Sequence, residues 1–62
     1  MEEPWKWTSD NYPFEMNELE PKVRDKAIEI ANQLKENHTV SELSIVPEAI
    51  KQAQEWFLEL EG

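Results

Sequence analysis

The sequence predicts an all-α protein: a small helical hairpin, or three-helix domain, with an extended aromatic N-terminal segment packed on it. Three observations point there. Two stretches, residues 21–37 and 46–61, repeat their apolar side chains at helical spacing. No stretch alternates apolar and polar residues as a half-buried strand would. Four of the six aromatic residues crowd into WKWTSDNYPF, Trp5 to Phe14, ahead of both helices.

The chain's 62 residues make one domain, 1–62. A domain this short buries only about 60% of the surface its unfolded form exposes, so it needs a staple. There is no cysteine, hence no disulfide and no thiolate metal site, and the single histidine, His38, cannot build a multi-histidine site. Apolar packing is left to do this work, and each large ring buries about 150–250 Å².

Residues 1–13 read as the extended segment, broken by Pro4 and Pro13. Ser9-Asp10-Asn11 reads as a turn started by the Asp10 or Asn11 side chain. Side chains of an extended segment repeat every second residue, which sets Trp5 and Trp7 on one side with Lys6 outward. Residues 14–19 read as a short helix: Pro13 suits a first turn, Glu15 suits the positive helix end, and Pro21 limits the length. In the helix 21–37, Pro21 takes the first position and Val23, Ala27, Ile30, Ala31 and Leu34 form one stripe, widened on a flank by Ile28. Asn37-His38 is its exit, with Asn37 suited to the left-handed conformation.

The connection HTVSELSIV is expected to hold a single turn at Ser41-Glu42-Leu43, with Val40 and Leu43 pointing inward. Pro47-Glu48 then marks the start of the last helix, 46–61. Its stripe is Val46, Ala49, Ile50, Ala53, Trp56 or Phe57, and Leu60. Facing stripes leave Trp56 and Phe57 partly uncovered, and the leading aromatics are expected to dock between the helices and cover them.

Charge narrows the partners. Six Lys and Arg stand against 14 Asp and Glu, a net charge of −8. Such a field repels nucleic acid and anionic membrane and favours solubility or a basic partner. No run of about 18 apolar residues is present, so no membrane span is expected. Met1-Glu2-Glu3-Pro4 lacks the basic and apolar regions of a signal peptide, and the expected compartment is the cytoplasm.

The pattern WTSDNYP, then Leu19, Pro21, Val23-Arg24, Lys26-Ala27-Ile28, Ile30-Ala31-Asn32 and AQEW at Ala53–Trp56, runs along nearly the whole chain. It resembles the small uncharacterised YdaT-like proteins of Gram-positive bacteria. A remoter similarity to ChaB-type proteins rests on Tyr12-Pro13 and the paired amphipathic helices. Such relatives usually carry a Gly in the loop between the helices, whereas ENHTVSELS has none. The resemblance implies a compact helical domain and supplies no substrate.

Catalytic sets are missing from the pattern. His38 with Ser41 or Ser44 is a sequence neighbourhood and not a triad. Carboxylate pairs such as Glu55 with Glu59 have nothing around them to bury one member and separate their roles. There is no EF-hand spacing, and the one Gly, at the terminus, makes no phosphate loop. The chain reads as a non-enzyme with no cofactor and no metal.

Two binding candidates are left. The rings of Trp5, Trp7, Tyr12, Phe14, Trp56 and Phe57 suit an interface with another protein, the competing reading being a lid over the protein's own core. Lys22, Arg24 and Lys26, at a helix start rich in free N–H groups, suit a phosphate, an acidic peptide or nucleic acid. Against that stands a solvated helix surface muffled by Asp25 and Glu29. The oligomeric state stays open, with a monomer favoured over a homodimer.

Overall fold

The computed structural model describes residues 6–38 and 40–61, and among them the fold is all-α. A 3₁₀ turn at Phe14–Glu18 precedes two α-helices, α1 at Pro21–Asn37 and α2 at Glu42–Glu61. Among the described residues the sole extended pairing is an isolated bridge between Thr8 and Asn11. The expectations for Trp5 and for the chain before it lie outside the described residues.

Helix α1 forms where the sequence places it. Pro21 stands at its start, where no N–H is needed. Val23, Ala27, Ile28, Ile30 and Ala31 are buried. At about 100° per residue, Val23, Ala27, Ile30 and Leu34 share one face while Ile28 lies well round the cylinder. So α1 has two faces to cover. It ends at Asn37, and the residue that takes the left-handed conformation is His38, φ 56° and ψ 35°, and not Asn37. The His38 N–H donates to the Leu34 carbonyl at 3.0 Å, closing the helix end.

Helix α2 corrects the expected boundary. It begins at Glu42, not at 46, and carries Pro47 inside it. The reason is packing. The earlier start makes Ile45 part of the helix, and Ile45 is buried in the core with Ala49 and Ala53. The first turn is held by the Ser44 N–H donating to the Ser41 carbonyl at 2.9 Å and by the Ser41 hydroxyl against that of Ser44 at 3.2 Å. Continuing the helix through this turn carries Leu43 outward, 93% exposed, where an inward position was expected. Val40 does pack against the core. Leu60, expected in the inner stripe, is 65% exposed near the end of the helix.

The two helices run antiparallel, since Val23 near the start of α1 shares a groove with Gln54 and Phe57 near the end of α2. Alanines 27, 31, 49 and 53 are completely buried between them. Small side chains let the backbones approach closely, so little space is left for large ones. The largest wholly buried side chain is Met16, from the 3₁₀ turn, a core member the sequence reading missed. The expected short helix 14–19 is therefore this 3₁₀ turn, tied by the Met16 N–H to the Pro13 carbonyl and the Leu19 N–H to the Met16 carbonyl. Phe14, within it, is 84% exposed and covers nothing.

Ahead of the turn the chain makes a tight reversal. Thr8 and Asn11 exchange backbone hydrogen bonds at 2.9 and 3.1 Å. The Asp10 N–H reaches the Thr8 hydroxyl at 3.3 Å, so the reversal is started by Thr8 and not by Asp10 or Asn11. Trp7 and Tyr12 are half-buried against the core, and Lys6 is exposed as expected.

Candidate functional site

Among the described residues, helix α1 holds three rings with three cations. Arg24 lies 5.1 Å from the centre of the Tyr12 ring, Lys26 lies 5.3 Å from Trp56, and Lys35 lies 5.0 Å from Trp7. Significant contacts of this kind occur about once per 70–80 residues, so three on one helix mark α1 as the element on which the rings are seated. The Trp7 backbone is also clasped: its N–H donates to Asn32 Oδ1 at 3.0 Å, and Asn32 Nδ2 donates to its carbonyl at 3.0 Å. Arg24, Asn32 and Lys35 fall on the Ile28 side of α1, away from α2.

This geometry corrects where the leading aromatics sit. Lys35, over Trp7, stands about 14 Å along α1 from Lys26, over Trp56, at 1.5 Å per residue. Trp7 therefore covers the Ile28 side of α1 and does not cover Trp56 and Phe57, which lie at the other end of the molecule. Trp56 is shielded there by the Lys26 stem. Tyr12 is tied locally, its hydroxyl donating to Asn17 Oδ1 at 3.1 Å.

The three cations proposed as an anion site also diverge. Arg24 turns to Tyr12 and to Asp25, 3.4 Å away. Lys26 turns to Trp56 and to Glu29, 3.5 Å away. Lys22 is exposed and stands with Glu20, Pro21 and Phe57 around a shallow hollow. No common focus for a phosphate is formed by the three.

One surface does gather apolar groups. Leu19, from the junction before α1, Val23 of α1, and Phe57 and Leu58 of α2 line an open groove bordered by Glu18 and Glu20. Leu58 is 68% exposed, whereas Phe57 is half-buried and packed on the core. Of the singled-out rings among the described residues, Phe57 alone lines this groove. Leu19 and Leu58 were missed as surface residues, and Val23 was read as core only, because the groove joins three segments that sequence spacing does not relate.

The polar lining of the groove is Glu18, Glu20 and Gln54. His38 is exposed at the far end of α1. Among the described residues no group of three or more His, Asp or Glu is placed to hold a metal ion. Among the same residues no helix is long and apolar enough to cross a membrane. Comparison of the chain with protein-family models, with curated proteins and with solved structures found no match.

Proposed function

We propose that the chain is a non-enzymatic module that binds another protein through the groove lined by Leu19, Val23, Phe57 and Leu58. The observation that carries this reading is the exposure of Leu58 beside a half-buried Phe57 in a concave apolar surface with a carboxylate border. Apolar clefts with a few polar groups at the edge are the usual seat of a ligand, and an aromatic at the floor is the usual anchor of an interface. In this reading the leading aromatics have a structural role. Trp7 and Tyr12 complete the core on the Ile28 side of α1, and the interface lies elsewhere. The kinship with YdaT-like proteins is proposed on the sequence pattern, and a cytoplasmic setting on the charge balance; neither names the partner.

The test is selection from a random peptide library against the wild-type chain, followed by counter-selection against Leu58→Glu. Peptides that bind the wild type and lose binding to the variant support the reading. No enrichment, or enrichment indifferent to Leu58→Glu, overturns it. In the latter case, loss of binding in a Lys22→Glu, Lys26→Glu double variant would point to the basic start of α1 instead.

A further inference from the structure

Helix α2 carries an inner apolar row and an outer row that is apolar except for Gln54. The inner one, through Ile45, Ala49 and Ala53, is spent on α1. The outer one runs Leu43, Pro47, Ile50, Gln54, Phe57 at spacings of 4, 3, 4 and 3, with Leu58 beside its end. That alternation keeps a row facing a neighbouring helix over several turns, and it is the spacing of a coiled-coil seam. Leu43 and Leu58, near its two ends, are strongly exposed, and Leu43, Pro47 and Gln54 are exposed along it. Its lower end opens into the groove of Leu19 and Val23.

The occupant can be read from spacing and charge. The 3.5-residue repeat calls for a helix, since a strand would present its side chains every second residue. Glu18 and Glu20 border the groove at the lower end of this row. A second copy of the same chain also carries −8 and would be repelled by the net charge. A helix with Lys and Arg beside its apolar row would be attracted.

Resting on the groove reading above, we infer that the outer row of α2 docks a basic amphipathic helix of a partner protein, which lies along α2 as the third rod of a bundle. Its Leu, Ile or Met side chains fill the space between Leu43 and Leu58, and its cations face Glu18 and Glu20 at the groove border. The mode is helix-in-groove recognition, with apolar anchors giving affinity and charge giving orientation and choice of partner.

The test uses three synthetic peptides of about three heptads: Leu at a and d with Lys elsewhere, the same seam with Glu elsewhere, and a scramble of the first. Binding to the full chain is followed by calorimetry and peptide helicity by circular dichroism. The Lys peptide is expected to bind, to gain helicity, and to weaken as salt rises. Leu58→Glu should weaken it at least about tenfold although it adds an attractive charge, a change of about 1.4 kcal/mol. Amide shifts of the unsubstituted chain should cluster on Leu43, Ile50 and Phe57, a readout that does not depend on a variant folding. Equal binding of the scramble or of the Glu peptide overturns the inference, as does concentration-dependent self-association abolished by Leu43→Lys. If library selection yields Leu58-dependent ligands that are neither basic nor helical, this inference fails and the groove reading survives. If it yields none, both fail.

Discussion

Asn32 does for Trp7 what a neighbouring strand would do. Its side-chain amide presents one acceptor and one donor in a plane, and these meet the N–H and the carbonyl of a single extended residue, both at 3.0 Å. A helix has no free backbone groups at mid-length, so an amide side chain is one of the few ways it can hold an extended segment. Each bond contributes on the order of 0.5–1.5 kcal/mol, while Ala would restore some helix propensity. Asn32→Ala is therefore expected to leave helicity intact and to cost about 1 kcal/mol. The decisive measurement is hydrogen exchange at the Trp7 amide, whose protection should fall at least about tenfold. Unchanged protection would mean that the Lys35 contact and ring packing hold the segment without the clasp. Little of this pairing was legible in the sequence. The Trp7 and Asn32 positions were each noticed, but nothing in their 25-residue separation relates them.

At the scale of elements, α1 was legible and the start of α2 was not. Pro21 and the 3-4 spacing after it agree about one helix, and local and tertiary preferences coincide there. In α2 they conflict. Pro47 lacks an N–H, so the Leu43 carbonyl four residues earlier has no helical donor, and the residue before a proline disfavours helical geometry. Read locally, that is a helix start. The burial of Ile45 overrules it, and the exposure of Leu43 lets water reach the freed carbonyl. Pro47→Ala should accordingly stabilise the protein by roughly 2–2.6 kcal/mol, the helix-interior penalty less the gain in unfolded-chain freedom. For a domain of this length that is a rise in melting temperature of about 4–8 °C per kcal/mol. A lower melting temperature would show that the ring of Pro47 packs usefully along the outer row of α2.

At the scale of the molecule, α2 packs on α1, and Trp7, Tyr12 and the buried Met16 reach the core from the chain ahead of α1. The all-α class was readable from periodicity. The second covered side was readable only as Ile28 lying off the main stripe, and its role depended on which segment came to meet it. The groove was unreadable for a related reason, since Leu19, Val23 and Leu58 acquire a common surface only after the helices pair. Met16 ties these levels together. It comes from a turn of five residues that has no helix of its own to lean on, yet it is fully buried. A chain of 62 residues has a total stability of roughly 3–9 kcal/mol. Truncating a buried Met to Ala costs about 2–5 kcal/mol, and alanines already occupy much of the helix interface, so nothing large can move in to fill the hole. Met16→Ala should thus remove half or more of the stability, while Met16→Leu, which conserves volume, should cost less than about 1.5 kcal/mol. Leu58→Glu, on the exposed edge of the groove, should stay within about 0.5 kcal/mol of the parent. Urea unfolding of the three variants, followed by circular dichroism, separates the roles. A large loss for Met16→Ala with little for Leu58→Glu assigns the buried turn to folding and the exposed leucine to contact with a partner. Equal losses would mean that the groove is part of the protein's own core.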